Sequence, residues 1–124
     1  MTDKSRPEVL MGHTYKLRTE NGNFYLTINY DEGKPYEIIM RMGKPGTMIR
    51  TMFENLSLWW SILLQNIPES KMIRLLKKHA ENVVDDNPLL HKGEQYRSVI
   101  DFTAQAVLKE FQKAKEKDDK AKEK

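Results

Sequence analysis

The chain has 124 residues, no cysteine and a formal net charge of +3. This length supports one domain with one core. The absence of cysteine excludes disulfide bonds, thiolate zinc sites and thiol catalysis. Residues 113–124 hold six lysines against four acidic residues, so this tail carries +2 of the charge and the rest is nearly neutral.

The chain contains no apolar window long enough to span a membrane, and its first ten residues lack the apolar segment of a signal peptide. We therefore expect a cytoplasmic protein, in a host cytoplasm if the chain is of phage origin, with no membrane partner.

The first third of the chain predicts a lead-in and three strands. Residues 1–12 are predicted to be an extended lead-in, and residues 24–30 and 36–42 alternate between apolar and polar side chains, as half-buried strands do. Residues 14–19 form the first predicted strand. Asn21-Gly22 and Asp31-Glu32-Gly33 suit tight turns, so the three strands should form an antiparallel meander.

Helical periodicity follows the meander. Thr47 is predicted to cap a helix that ends near Asn66, a second helix should run over residues 69–81, and a third over residues 96–113. Residues 83–95 are rich in turn formers and are predicted to be a connecting loop, and residues 113–124 a flexible charged tail. The predicted fold is α+β with two layers: a single domain over residues 13–112 whose three helices pack on one face of the sheet.

Residues 56–64, LSLWWSILL, are apolar nearly all around the first helix. A surface helix has one apolar stripe, so the surplus predicts a homo-oligomer, a dimer or larger. The predicted interface residues are Leu58, Trp59, Trp60 and Ile62. The alternative is that the other two helices cover this helix completely.

Two polar features are candidate ligand sites. The sheet face away from the helices should present Lys16, Arg18, Tyr25, Thr27, Asn29, Glu37 and Arg41. These groups suit a ligand with a ring and phosphates, and they equally suit a solvated face. The sequence GKPGT before the first helix could hold a phosphate at a helix start, but it is not a P-loop, and as a bare motif it favours a structural turn.

The sequence predicts no catalytic or metal-binding group. His13, His79 and His91 lack the spacing of metal ligands, and no Ser/His/Asp set can be assigned. We therefore expect no enzyme activity and no cofactor.

The order of motifs resembles the TSCPD domain, which occurs at the C terminus of adenosylcobalamin-dependent (class II) ribonucleotide reductases and in short stand-alone proteins. The resemblance covers about residues 6–111 and lies in RPEVLMGHTYKL, ENGNFYLTINYDEGKPYEIIMRMGKPGT and YRSVIDFTAQAV. All family cysteines are replaced, among them those expected at Asn21 and Met48. Of the final Thr-Ser-Cys-Pro-Asp motif, which corresponds to Arg97–Asp101, only Ser98 and Asp101 remain. These losses predict that any metal or redox role has been dropped.

Three functions are weighed. The first is a non-catalytic oligomer that binds, and sequesters, a nucleotide-type molecule, cyclic ones included, as small phage sponge proteins of the Thoeris anti-defence class do; the similarity to them is one of size and element order only. The second, which the family resemblance implies, is an accessory module of a class II ribonucleotide reductase. The third, ranked last, is a nucleic-acid-binding protein. The predicted ligand-binding residues are Asn21, Asn23, Arg41, Lys44, Gly46, Thr47, Arg50, Tyr96 and Arg97.

Overall fold

A computed structural model describes residues 6–19, 22–82 and 89–122. In chain order its elements are β1 (Met11–Thr19), β2 (Gly22–Asp31), β3 (Lys34–Met42), α1 (Met48–Asn66), α2 (Glu69–Asn82), β4 (Leu89–His91), β5 (Glu94–Tyr96) and α3 (Val99–Lys122). The order β1-β2-β3 is an antiparallel sheet. This confirms the α+β class, the meander and the three helices that follow it.

A two-residue turn fixes the register between β2 and β3. Asp31 pairs with Lys34, and the turn residues Glu32 and Gly33 have φ angles of 52° and 79°. Such a left-handed pair matches the twist of a hairpin. The register then shifts by one residue between Tyr30 and Asn29, so that Asn29 lies opposite Glu37 rather than Tyr36.

The core lies between one face of the sheet and the helices. Its fully buried strand residues are Phe24, Leu26, Ile28, Ile38 and Met40, and its helical members include Trp60, Met72, Leu76 and Val107. The Trp60 side chain is only 2% exposed. The prediction that Trp60 lies in an oligomer interface is therefore wrong, because its ring is buried within the protomer.

Helix α1 lies along the free edge of β3, where it replaces a missing strand. Ser57 Oγ accepts a hydrogen bond from the Met40 N–H at 2.7 Å, and Ser61 Oγ accepts one from the Ile38 N–H at 3.0 Å. Ser61 Oγ also donates to the Ile38 carbonyl at 3.0 Å. An edge strand would otherwise expose these groups as a template for pairing.

The spacing of α1 suits this edge. Gln65 Nε2 extends the series by donating to the Tyr36 carbonyl at 3.2 Å. Every fourth residue of the helix thus meets every second residue of the strand, in antiparallel order. Four helical residues rise about 6 Å and two strand residues about 6.7 Å, so the two repeats stay in step over this short length.

The predicted loop over residues 83–95 is partly wrong, since residues 89–96 form the β4–β5 hairpin. Its turn residues, Lys92 and Gly93, have φ angles of 50° and 81°. The glycine of this dipeptide could have indicated a hairpin turn. Residues 83–88 lie outside the described residues.

The hairpin is packed against α3 by the ring of Phe102, which meets the rings of Tyr15, His91 and Tyr96 edge-on.

Helix α3 continues to Lys122 rather than ending near Lys113, so the predicted charged tail is helical through that residue. Among the described residues, no helix is long and apolar enough to cross a membrane.

The edge contact predicts a stability loss. The double variant Ser57→Ala, Ser61→Ala leaves the buried N–H groups of Met40 and Ile38 without partners, which should lower the free energy of unfolding by about 1–3 kcal/mol for each group. Urea denaturation followed by circular dichroism measures the loss. Ser70→Ala, at an exposed serine of α2, is the control. Equal midpoints for the double variant and the control would contradict the edge contact.

Candidate functional site

The sheet face that turns away from the core carries a row of two cations and a ring. Lys16 pairs with Tyr25 and Tyr25 pairs with Arg41, so the three side chains stand side by side across β1, β2 and β3. Tyr25 is 39% exposed, and both cations are exposed. We call this face the open face, and these three residues the central row.

Charges on the open face are unevenly matched. Glu37 accepts hydrogen bonds from Arg6 Nε at 2.8 Å and Arg6 Nη2 at 3.2 Å, and from Asn29 Nδ2 at 2.7 Å. The bond from Arg6 holds the pKa of Glu37 below its usual value. Within the described residues, Lys16, Arg18 and Arg41 form no ion pair. The open face is therefore locally basic, although the folded part of the chain is nearly neutral.

Gly12 makes room for the Asn29 side chain in this network. The two residues pair directly across β1 and β2. A Cβ atom on Gly12 would collide with the side-chain oxygen of Asn29 and lie 2.6 Å from the Ile28 carbonyl oxygen. Glycine at this position thus allows Asn29 to reach Glu37.

A groove of about 470 Å³ runs between the open face and α1. Its charged lining includes Arg6, Glu37 and Arg41 from the sheet side and Arg50 and Glu54 from the helix. Arg50 is already engaged, since its Nε lies 3.0 Å from Glu54 and its Nη1 donates to the Gly43 carbonyl at 3.2 Å. Among the arginines of the groove, Arg41 is the one without a hydrogen bond in the described part of the chain, so it is the cation most available to a ligand.

The GKPGT sequence forms a tight turn followed by a helix cap. The Lys44 carbonyl accepts from Thr47 N at 3.2 Å and from Thr47 Oγ1 at 2.7 Å. Pro45 in the second place and Gly46 in the third, with φ 86°, are typical of a type II turn. Thr47 Oγ1 also accepts from Arg50 N at 3.3 Å. The turn and the cap account for Gly46 and Thr47 without a ligand, which agrees with the structural alternative for this loop.

The predicted ligand residues do not form one site. Arg41 and Asn23 lie on the open face, where Asn23 is opposite Arg18, and Lys44, Gly46, Thr47 and Arg50 surround the start of α1. Asn21 lies outside the described residues. Tyr96 and Arg97 lie beyond these two groups, at the end of β5 and before α3.

Tyr96 is a core residue. Its side chain is buried against Phe102, and its hydroxyl donates to Glu94 at 2.9 Å. Burial, reinforced by that bond, raises the pKa of Tyr96 to about 12. The prediction that Tyr96 binds a ligand is therefore wrong, because neither its ring nor its hydroxyl is available.

Ser98 and Asp101 cap helix α3. Ser98 Oγ accepts from Asp101 N at 3.0 Å, and an Asp101 carboxylate oxygen accepts from Arg97 N at 2.8 Å. The Ser-x-x-Asp spacing places these two side chains around the first turn, where helical N–H groups lack intrahelical partners. Both residues are buried, so their role here is to begin the helix.

Metal ligands are not clustered in the described ranges: no group of three or more histidine and acidic residues there could hold a metal ion.

The family model described as the TSCPD domain matches residues 1–111. The chain belongs to the TSCPD domain family. No curated protein and no solved structure matches it. Ser98 and Asp101, the two residues that the resemblance assigns to the family's final motif, are the two that cap α3.

Sequence reasoning predicted the composition of the open face but missed its central row. Alternation assigns side chains to a face, whereas the pairing of Lys16 with Tyr25 and Arg41 depends on the register of two hairpins. The serines that seal β3 were also missed, although two serines four residues apart in an apolar helix were a usable signal.

The cap on α3 can be tested by substitution. Ser98→Ala should lower the free energy of unfolding by roughly 0.5–2 kcal/mol, the usual cost of losing a helix cap. Urea denaturation measures it. Ser98→Thr is the matched control and should retain most of the stability, because its hydroxyl can still accept from Asp101 N. Equal losses in both variants would contradict the capping role.

The Arg6–Glu37 pair predicts a pH effect. Arg6→Ala should raise the pKa of Glu37 toward its ordinary value of 4.5. Because folding lowers this pKa, the pair stabilises the protein above that value, and its contribution is lost as the pH falls through the lowered pKa. Carboxyl-carbon NMR titration of both proteins measures the shift, with Lys34→Ala as control. An unchanged Glu37 pKa in the Arg6 variant would contradict the ion pair.

Proposed function

We propose that this TSCPD protein is a non-catalytic binding protein that holds a small nucleotide-type anion on the open face. The observation that carries the proposal is the central row, in which Tyr25 is flanked by Lys16 and Arg41. The ring of a base would stack on Tyr25, and the phosphates would contact the two cations.

The proposed contact has two parts, stacking of the base and binding of the phosphates. Stacking of a base on an aromatic side chain contributes about 1–3 kcal/mol. Arginine donates paired hydrogen bonds to phosphate, and lysine adds a point charge. Arg41 and Lys16 have no ion-pair partner in the described chain, so a ligand would not have to displace a carboxylate from either.

The dimensions of the row favour a small ligand. Neighbouring strands lie about 4.8 Å apart, so the backbones beneath Lys16 and Arg41 are separated by roughly 10 Å. This distance suits one or two nucleotides with the ring near the middle. A protein that binds such a molecule without transforming it would act by sequestering or carrying it.

Single-stranded nucleic acid is the second candidate, and the basic character of the open face favours it. Lys16 and Arg18 on β1 and Arg41 on β3 are exposed cations on either side of β2, and bases stack on exposed sheet aromatics in several nucleic-acid-binding folds. Its binding would weaken steeply with salt, because each neutralised phosphate releases counterions.

A thermal-shift panel tests the proposal. Linear and cyclic mono- and dinucleotides and a short oligothymidine are each added to the purified protein. A ligand at 100 times its dissociation constant should add about 2.7 kcal/mol of stability. Tyr25→Thr and Arg41→Gln should abolish the shift, whereas Arg74→Gln, at an exposed arginine of α2, should retain it.

The outcomes separate the candidates. A shift with mono- or dinucleotides that Tyr25→Thr and Arg41→Gln both abolish supports the proposed function. A shift with the oligothymidine alone favours nucleic acid instead. No shift with any probe, or a shift that both open-face variants retain, would overturn the proposed site.

A further inference from the structure

Helix α1 carries an apolar surface that the described chain leaves uncovered. Its exposed members are Met48, Ile49, Met52, Leu58, Trp59 and Ile62, which we call the α1 stripe. Met48 is 78% exposed, Met52 63% and Trp59 68%. Residues spaced by three, four and seven positions share one side of a helix. Ser57 and Ser61 face β3, so Met48, Met52 and Trp59 point away from the sheet. Leu58 and Ile62 lie at the margin of the stripe, where they also line the groove beside the open face.

The area of the α1 stripe exceeds what a monomer usually exposes. If a large apolar side chain offers about 200 Å², as aromatic ones do, the exposed fractions of the six residues come to roughly 700 Å². The largest apolar patch on a typical monomer is about 300–600 Å². A standard interface buries about 800 Å² on each partner. The stripe is thus large enough to supply most of one side of a stable dimer.

The chemistry of the stripe allows it to face a copy of itself. A two-fold interface brings the same patch of both subunits together, so a charged patch would repel itself. The only charged residues of α1 are Arg50 and Glu54, and they pair with each other at the margin of the stripe, beside Leu58 and Ile62, so they add no net charge to it. Methionine and tryptophan are enriched at the centres of interfaces, and charged residues are depleted there.

A groove beside the stripe offers room for side chains of the second copy. It has a volume of about 580 Å³ and is lined mainly by Ile49, Met52, Phe53, Leu56, Trp59 and Ile100. Phe53, Leu56 and Ile100 are half-buried and form its inner wall. A flat apolar patch would only stack on its partner, whereas a groove next to an exposed tryptophan allows the two copies to interlock.

We infer that two copies of the chain associate through the α1 stripe as a two-fold dimer in which the two α1 helices run antiparallel. Asn55 lies midway between Met48 and Ile62 and would meet its own copy at the axis. The antiparallel order opposes the two helix dipoles. It also brings exposed Lys44, before α1, toward exposed Glu69 of the second copy, after it. A parallel order would instead bring the two Lys44 residues together.

Sedimentation velocity tests the association. The wild-type protein should sediment as a dimer, and Trp59→Glu should sediment as a monomer with an unchanged circular dichroism spectrum. Leu90→Glu is the control, because Leu90 is also a highly exposed apolar residue but lies on β4. A wild-type monomer at all concentrations, a dimeric Trp59→Glu variant, or dissociation by Leu90→Glu would overturn the inference.

Crosslinking tests the orientation independently of stability. Because the chain has no cysteine, single substitutions report single positions. Under mild oxidation Asn55→Cys should form a disulfide-linked dimer. A mixture of Met48→Cys and Ile62→Cys should form the mixed dimer, with little of either self-linked species. Self-linked Met48→Cys as the main product would indicate a parallel pair and overturn the antiparallel arrangement. None of these substitutions changes Lys16, Tyr25 or Arg41, so loss of the dimer and loss of nucleotide binding are measured separately.

Discussion

The contact between α1 and the edge of β3 organises this protein. Ser57, Ser61 and Gln65 give the strand the hydrogen bonds that a fourth strand would otherwise supply. This match depends on a small numerical coincidence, since four residues of a helix and two residues of a strand advance by nearly the same distance. It fixes both the direction of α1 and its rotation about its own axis.

Once that rotation is fixed, the remaining surfaces of α1 and of the sheet follow. One side of α1 inserts Trp60 into the core, and the side turned away from β3 and the core is left with most of the α1 stripe. Because the core lies on one face of the sheet, the other face keeps its central row exposed. The contact with β3 thus helps to determine which surfaces of α1 and of the sheet are left exposed.

The sequence predicted the strands and helices better than the way they pack against one another. Alternation and glycine turns were sufficient for the meander, and the apolar content of residues 56–64 correctly indicated more apolar surface than the protomer covers. Which of its residues stay exposed was not predictable, because Trp59 and Trp60 are adjacent and chemically equal. In the folded chain, where Ser57 and Ser61 face β3, Trp60 is buried and Trp59 is exposed.

The predicted ligand residues failed for a similar reason. A motif gives residue types, but a hydroxyl or carboxylate can serve a helix start as well as a ligand. Thr47 begins α1, and Ser98 and Asp101 begin α3. In this chain the Ser-x-x-Asp sequence at Ser98 and Asp101 therefore serves the geometry of a helix start.

Sealing β3 also limits how the sheet can grow. Strand β1 ends the sheet on the other side, with no strand beside it in the described chain. A sheet with two open edges can add neighbours in both directions without limit, which is the route to fibres. A sheet with one open edge can be extended only once by its own kind, since the pairing of two β1 strands would leave a sealed edge at either end. By covering the edge of β3, the serines of α1 therefore limit assembly through strand pairing to two copies of the chain.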